Sequence, residues 1–207
     1  MKIARQGFAY VGLLAATGLV LTMFPATRSY SIVPFALALF VTYFFRDPER
    51  TPPADPRLWV SPADGKVVYV GPEKNAASSA RTQVSIFLSI FDVHINRSPM
   101  TGVITDVIYT PGRFLPAYRE QASSQNEQNE MSLSEDSLTV TVRQIAGVVA
   151  RRIVFTKKKD ERLDRGERFG LIQFGSRVDV LLPPEVKVLV AVGERVRGGE
   201  SALAERT

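Results

Sequence analysis

The sequence predicts a mainly β fold, with a transmembrane helical hairpin at the N-terminus followed by a β-rich domain. Two observations support this prediction. Residues 8–24 and 30–45 form two long apolar runs that contain no charged residue. From Leu58 onward the apolar runs are short, rich in β-branched residues and separated by turn residues at fairly even spacing, which is typical of a β-weighted domain.

The two apolar runs predict a helical hairpin in a membrane. A spanning helix needs about 20 apolar residues, with a range of roughly 17 to 25, so each run is at the short limit. Lys2 and Arg5 precede the first run, and Arg46 and Arg50 follow the second. The positive-inside rule therefore predicts that both ends, and the body of the protein, lie on the cytoplasmic face of the cell membrane. The alternative, a signal peptide, lacks a small-residue cleavage site.

The composition between the hairpin and the β-rich part predicts a stiff linker, because residues 46–57 are charged and rich in proline. We therefore expect a membrane hairpin at 1–45, a linker at 46–57 and the β-rich domain at 58–207. Strands are expected at 66–70, 83–91, 103–109, 138–142, 148–155, 171–174, 178–182 and 186–192. The polar segment 121–136 predicts a mobile loop, either a solvated linker or a cover for the functional site.

The charge and the residue types exclude several classes of protein. The net charge of +5 and the pI near 9.6 suit an anionic partner, and the apolar hairpin favours a membrane surface over nucleic acid. Cysteine is absent and His94 is the only histidine. These counts exclude a disulfide framework, a thiolate nucleophile and a multi-histidine metal centre, so no metal is expected.

A weak internal repeat lies in the β-rich part. Residues 61–67 and 98–104 both read serine, proline, two further residues and glycine, and both end in a β-branched residue, so each predicts a turn directly before a strand. Together with residues 192–200, these motifs resemble the turns and strands of biotinyl and lipoyl carrier domains, which have a barrel-sandwich fold. No lysine stands in the setting that such carriers modify, and Lys66 is expected to be a solvated strand residue.

The Gly175-Ser176 pair, which lies between two strand-like runs, is the first candidate site. Glycine inside such a pattern indicates a bend, and a bend can bring the Ser176 hydroxyl near the Gly175 carbonyl carbon, as an N-to-O acyl shift requires. The alternative is a strand kink with a surface serine. Asp64 and His94 are the other candidates, because aspartate, histidine and serine can form a nucleophile, base and orienting group. Their alternatives are an ordinary turn aspartate and a core histidine.

Five ordered motifs carry a specific resemblance. They are Phe44-Phe45-Arg46-Asp47-Pro48-Glu49-Arg50 after the hairpin, Ser61-Pro62-Ala63-Asp64-Gly65, Asp92-Val93-His94-Ile95-Asn96-Arg97-Ser98-Pro99, residues 126–130, and Gln173-Phe174-Gly175-Ser176-Arg177-Val178-Asp179. In this order they resemble the short, membrane-bound phosphatidylserine decarboxylases, and they extend through nearly the whole chain.

The resemblance implies a proenzyme that cuts itself between Gly175 and Ser176 into a large β chain, 1–175, and a small α chain, 176–207. It further implies that Ser176 becomes a covalent pyruvoyl group, which forms a Schiff base with phosphatidylserine in the bilayer and accepts the electron pair released with carbon dioxide. The product would be phosphatidylethanolamine. His94 and Asp64 are the implied catalytic residues beside Ser176.

The sequence departs from the family at one position. Relatives with a His-x-x-His-x-Pro segment have a second histidine where this chain has Arg97. Arg97 cannot act as a general base, so we expect it either to bind a phosphate or carboxylate of the substrate or to form a surface ion pair. A membrane-tethered adaptor without chemistry is the alternative function. The sequence leaves the oligomeric state open, a homo-oligomer included.

Overall fold

The computed structural model describes residues 2–74, 80–117, 121–148, 152–173 and 175–206. The chain divides into two compact units, Met1–Glu49 and Arg50–Thr207.

The first unit is built from helices. α1 spans Arg5–Met23, a 3-10 helix spans Arg28–Ser31, and α2 spans Ile32–Phe44, while the short strands β1 (Lys2–Ile3) and β2 (Arg46–Asp47) pair antiparallel. Phe24 follows α1 in an extended conformation, because the residue before a proline avoids the helical region. Pro34 is tolerated in α2 because it lies in the first turn, where its missing N–H has no partner to lose.

The helices of this unit expose much of their apolar surface. α1, with 19 residues, is long and apolar enough to cross a membrane, and the apolar helical segment Arg28–Phe44 is shorter. Leu13, Leu19, Ile32 and Leu39 are among the exposed large apolar side chains. Contiguous apolar surface of this kind is typical of a site that contacts a membrane or another protein.

The second unit is formed by strands and one short helix, α3 (Ala122–Gln125). Its strands are β3 (Leu58–Val60), β4 (Gly65–Pro72), β5 (Thr82–Leu88), β6 (Ile95–Arg97), β7 (Gly102–Thr110), β8 (Gln128–Glu135), β9 (Leu138–Ile145), β10 (Ile153–Phe155), β11 (Arg162–Leu163), β12 (Arg168–Ile172), β13 (Ser176–Leu182), β14 (Val186–Val188), β15 (Arg195–Val196) and β16 (Ala202–Arg206).

The strands of the second unit form two matching sets. The large sheet has the order β11-β7-β8-β9-β13-β5-β4-β15, and two smaller sheets have the orders β10-β12-β6 and β14-β16-β3. We call β6 to β12 the inserted half, and β3 to β5 with β13 to β16 the interrupted half. The inserted half lies in the chain between β5 and β13, and β9 meets β13 at the centre of the large sheet.

The two serine-proline phrases form the same turn in the two halves. Ser61 Oγ donates a hydrogen bond to the carbonyl of Ala63, and Ser98 Oγ donates one to the carbonyl of Met100, each at 2.7 Å. Side-chain bonds of this kind stabilise a turn locally. The predicted repeat is therefore present in the structure as a repeated turn before β4 and β7.

The two turns also bond each other reciprocally. The Val60 N–H donates to the Pro99 carbonyl at 2.8 Å, and the Arg97 N–H donates to the Pro62 carbonyl at 3.0 Å. A β-bulge interrupts the pairing of β4 and of β7 at matching positions. These repeated contacts indicate an internal duplication with approximate two-fold symmetry.

The duplication explains where the Gly175-Ser176 pair lies. In the inserted half, β8 and β9 are joined by a tight turn, across which Glu135 pairs with Leu138. The corresponding strands of the interrupted half are β5 and β13, in which Leu88 pairs with Ser176. The Gly175-Ser176 pair thus stands where the chain re-enters the interrupted half, at the position of a hairpin turn in the other half.

One hydrophobic core joins the large sheet to the smaller sheets. β13 contributes Val178, Val180 and Leu182 to it, and all the residues of β13 are buried. Burying a side chain of this size stabilises the fold by about 1.5 to 3 kcal/mol. The strand that begins with Ser176 is therefore held on both faces and along both edges.

The mainly β architecture with N-terminal helices is confirmed, and so are most of the predicted strands. The mobile loop predicted at 121–136 is wrong, because this segment forms α3 and β8. Its polar residues hid the strand, in which Met131 and Leu133 point inward between partly exposed neighbours. The strand predicted at 148–155 is limited to Ile153–Phe155 among the described residues, and 149–151 lie outside them.

The pairing of β13 predicts that the two chains stay together after cleavage before Ser176. β13 pairs with β5 along its whole length and also with β9, and neither ladder crosses the Gly175-Ser176 bond. We expect the two fragments to separate in denaturing electrophoresis but to co-elute in native size-exclusion chromatography in mild detergent. Separate elution of the small fragment would contradict this pairing.

Candidate active site

The Gly175-Ser176 bond combines a bent backbone with a buried hydroxyl. Gly175 has a φ of +64, a left-handed conformation that costs most other residues about 1 to 2 kcal/mol. Ser176 is 0% exposed, and its Oγ has no hydrogen-bond partner within the part of the chain that the structure describes. The alternative of a surface serine is therefore wrong. Because a buried hydroxyl without a partner is costly, Ser176 stands out as a candidate functional residue.

His94 contacts Gly175, the residue that precedes Ser176. The Gly175 N–H donates to His94 Nε2 at 3.2 Å. The other ring nitrogen, Nδ1, lies 3.0 Å from the carbonyl oxygen of Asp92. Because a backbone N–H can only donate, Nε2 is the acceptor, and Nδ1 carries the proton that it donates to Asp92. His94 is thus neutral in this arrangement, and its basic nitrogen faces Gly175.

Asp64 lies in a polar cluster with the turn that begins at Gly198. Its Oδ1 accepts the N–H of Gly198 at 2.7 Å, and its Oδ2 accepts from Arg50 at 3.0 Å. Arg50 also donates to Glu200 at 2.6 Å. These bonds hold the turn against the start of the second unit. A catalytic role for Asp64 stays a prediction.

Arg97 is buried beside the same turn. Only 4% of the residue is exposed, and its Nη1 donates to the Gly166 carbonyl at 3.0 Å. Its Cδ lies so close to Gly199 that a side chain at that position would meet it at 2.7 Å. Its burial contradicts the surface ion pair, and its substrate-binding role stays a prediction. The predicted residues thus form two groups, His94 with Gly175-Ser176, and Asp64 with Arg97.

A buried ion pair anchors the residue that follows Ser176. Arg177 donates to Asp179 through Nε at 2.6 Å and through Nη2 at 2.8 Å. Gln83 also donates to Asp179, at 3.1 Å, and Ser123 accepts a bond from Arg177. Arg177 and Asp179 are 4% and 0% exposed. The start of β13 is thus fixed on the face opposite the core.

The sequence did not identify two further residues, Gly147 and Asn126, that lie near the Gly175-Ser176 bond. The backbone of Gly147 packs on the carbonyl oxygen of Gly175, so that a Cβ at position 147 would overlap it. Asn126 belongs to a motif found in the sequence, but its bond to the Ala146 carbonyl at 2.7 Å was not predicted. No local pattern identifies these residues, because the contacts join segments far apart in the chain. Phe174, which directly precedes Gly175, lies outside the described residues.

The left-handed glycine, the buried serine and the anchored strand together fit the class of proenzymes that cleave their own backbone. Comparison with known proteins gives the family. The family model described as phosphatidylserine decarboxylase matches residues 37–204. The chain belongs to the phosphatidylserine decarboxylase family.

Curated relatives match over nearly their whole length. The phosphatidylserine decarboxylase proenzyme of Solibacter usitatus (strain Ellin6076) is 49% identical over 207 residues, which are 100% of this chain and 98% of the relative. The proenzyme of Syntrophus aciditrophicus (strain SB) is 43% identical, with 97% and 96% covered. The proenzyme of Trichlorobacter lovleyi (strain ATCC BAA-1151 / DSM 17278 / SZ) is 44% identical, with 97% and 95% covered. These matches favour an enzyme over the adaptor alternative.

The buried ion pair predicts a large loss of stability for Asp179→Asn. This change leaves Arg177 buried without a counter-charge, and breaking such a pair costs about 3 to 5 kcal/mol. Chemical unfolding, with every variant in a Ser176→Ala background so that the chains are uncut, measures the loss.

Glu130→Gln is the matched control, because it breaks the pair of Glu130 with Arg143, whose side chains are 25% and 12% exposed. It is expected to cost about 1 kcal/mol or less. Equal losses for the two variants would contradict the anchoring role of Asp179.

Proposed function

We propose that this chain converts phosphatidylserine to phosphatidylethanolamine and carbon dioxide, using a pyruvoyl group formed from Ser176 by self-cleavage. Membership of the phosphatidylserine decarboxylase family is the evidence for this reaction, which is a carboxy-lyase activity. The observation that supports Ser176 as the source is its buried Oγ, which has no partner among the described residues and directly follows the left-handed Gly175.

Self-cleavage needs only groups of the chain and one water molecule. Ser176 Oγ loses its proton to a base and attacks the carbonyl carbon of Gly175, and the C–N bond breaks as the nitrogen is protonated. The resulting ester undergoes β-elimination, which leaves a carboxylate on Gly175 and a dehydroalanine at position 176. Hydrolysis of its imine tautomer releases ammonia. The small chain then begins with a ketone in place of an amino group.

The residues around position 176 fit this group. A pyruvoyl ketone supplies an electrophile for the serine amine of the substrate and accepts the electron pair released with carbon dioxide. Arg177, which would carry the group, is held by the bidentate contact with Asp179. A fixed position for the reacting atoms is what such chemistry requires.

His94 is the proposed base of the site. Its Nε2 is unprotonated in the arrangement described above and lies 3.2 Å from the nitrogen of Gly175. This contact positions the residue whose carbonyl is attacked, and release of the Gly175 N–H frees the same nitrogen to take a proton. Asp64 is proposed to support catalysis through the turn that it holds. Arg97 is proposed to bind the phosphate or carboxylate of the substrate, for which a guanidinium is suited.

The proposed organisation places the lipid substrate and the site at one membrane surface. Residues 1–45 would form the membrane hairpin, 46–57 the linker, and 58–207 the catalytic domain, cut into 1–175 and 176–207. The exposed apolar side chains of α1 and α2 support the hairpin. The basic residues at both of its ends support the cytoplasmic face. The repeated turns likewise support the barrel-sandwich likeness of the β-rich domain.

Ser176→Ala tests the proposed function. This variant lacks the attacking oxygen, so it is expected to stay a single chain and to release no carbon dioxide from phosphatidylserine vesicles, while the unchanged protein is cut and active. Ser134→Ala, which removes a hydroxyl bonded to Thr139 at 2.8 Å, serves as the control and should be cut normally. Cleavage of Ser176→Ala at the same bond would exclude Ser176 as the nucleophile.

His94→Gln tests the proposed base. Glutamine can still accept the Gly175 N–H but cannot take up the proton of Ser176, and loss of a general base slows a reaction about 10² to 10⁴-fold. We expect at least a 100-fold slower self-cleavage in a cell-free translation time course, with an unchanged melting temperature. Cleavage at the unchanged rate would show that another group is the base.

A further inference from the structure

We propose that Asn126 and Gly147 position the carbonyl group of Gly175 for attack by Ser176. Both residues belong to the inserted half, whereas the cleaved bond opens the interrupted half. The inference rests on the proposed self-cleavage and adds positioning residues to it. Neither residue exchanges a proton or an electron pair with the reacting atoms, so the balance of the reaction is unchanged.

The first observation is the close approach of Gly147 to Gly175. The pairing of β13 with β9 joins Arg177 to Ile145, and continuing this register by two residues places Gly147 opposite Gly175. Accordingly, a Cβ built on Gly147 would overlap the Gly175 carbonyl oxygen and would lie 3.4 Å from the Cβ of Ala117. A carbonyl packed in this way has little freedom to rotate about the adjacent backbone bonds.

Position 147 requires glycine because no room is left for a Cβ, and not because of its backbone conformation. The described glycines with positive φ are Gly65, Gly166, Gly175, Gly193 and Gly199, and Gly147 is not one of them. Alanine at 147 would therefore keep an allowed backbone and would conflict only with what lies against it. The neighbour that must move is the scissile carbonyl itself, since Gly175 O is the atom nearest to the built Cβ.

The second observation is the set of bonds that holds Gly147 in place. Asn126 is 1% exposed. Its Nδ2 donates to the Ala146 carbonyl at 2.7 Å and to the Leu115 carbonyl at 2.8 Å, and its Oδ1 accepts the Leu115 N–H at 2.9 Å. The N–H of Ala146 donates to the Glu127 carbonyl at 2.9 Å. Ala146 is thus held through both its N–H and its carbonyl, directly beside Gly147.

These contacts restrain the scissile peptide together with those of His94 and Arg177. His94 accepts the N–H of Gly175, Gly147 packs on its carbonyl oxygen, and Arg177 is anchored beyond Ser176. With Gly147 and Arg177 in place, the carbonyl of Gly175 keeps a defined direction even when its N–H is released from His94. Misplacement of a reacting group by about 1 Å can cost a factor of about 10² in rate, so small shifts at Gly147 or Asn126 should be visible.

The first test compares Gly147→Ala with Gly102→Ala in a cell-free translation time course, in which the fraction of cut chain is measured by denaturing electrophoresis. Gly102 is matched, because a Cβ there would meet the carbonyl oxygen of Ser134 at 2.7 Å, away from the cleaved bond. We expect Gly147→Ala to be cut at least about 100-fold more slowly, and Gly102→Ala to be cut at nearly the unchanged rate. Melting temperatures of both variants, measured in a Ser176→Ala background, control for general destabilisation.

The second test uses Asn126→Asp, which keeps the shape of the side chain. A carboxylate at 126 still accepts the Leu115 N–H but faces the Ala146 and Leu115 carbonyls without a donor, and protonation restores one donor. A carboxyl group buried among carbonyls is protonated more readily than an exposed one. Relative to the unchanged chain at each pH, the cleavage rate of Asn126→Asp should therefore recover as the pH falls from mildly alkaline to mildly acidic. If Asn126→Asp slowed cleavage only by unfolding the chain, the ratio of its rate to that of the unchanged chain would change with pH only as the folded fraction does. Circular dichroism measures the folded fraction.

The outcomes separate this inference from the proposed function. If the unchanged chain is not cut, the proposed function fails. If the unchanged chain is cut and Gly147→Ala is cut equally fast, the positioning role of Gly147 is overturned. If the cleavage of Asn126→Asp follows only its folded fraction at every pH, the role of Asn126 is overturned. Asn129→Asp, which removes a donor bond to Gln144 at 3.3 Å, is the matched control, and its ratio should follow only its folded fraction.

Discussion

The pairing of β13 with both β5 and β9 is the interaction on which the rest of the second unit depends. β9 belongs to the inserted half and β5 to the interrupted half, so β13 closes one half and joins it to the other. Its inward residues Val178, Val180 and Leu182 complete the shared core. A strand in this position cannot leave without exposing that core, which is why a cut at its first residue is compatible with a folded product.

The same topology explains where the Gly175-Ser176 bond lies. In the inserted half a hairpin turn leads directly from β8 to β9, whereas in the interrupted half the chain returns to the equivalent position after the whole inserted half. The backbone must turn sharply there, and Gly175 does so in a left-handed conformation. Glycine adopts this conformation without the steric cost that a side chain would add. Here Arg177 is anchored on one side of the bond, and His94 and Gly147 contact Gly175.

The sequence was sufficient for the elements whose signals are local. The short, β-branched runs of β4, β7 and β13, the two uncharged N-terminal runs and the glycine before Ser176 all lie within short windows. The strands, helices and bend at these positions are present in the structure. β8 was missed because its inward positions include Asn129, whose amide bonds Gln144 instead of entering an apolar core. A polar residue that is satisfied inside the protein has the same sequence signal as one in a loop.

The candidate site was predictable only in part, for a related reason. Ser176 and His94 have distinctive chemistry, so composition and motifs identified them, and the structure brings His94 to Gly175. The contacts of Asn126 and Gly147 depend on the register between distant strands and on the absence of a side chain. Neither property can be read from a single stretch of sequence. The burial of Arg97 is also a tertiary property, since its partner Gly166 lies on another segment.

The most direct measurement of the central claim is the intact mass of the small chain released by denaturation of the purified protein. If Ser176 becomes a pyruvoyl group, the fragment contains residues 176–207 and is lighter by one ammonia than the same fragment with an unmodified serine at its N-terminus. A full-length chain with unmodified Ser176, or a fragment that begins with an intact serine, would contradict the account.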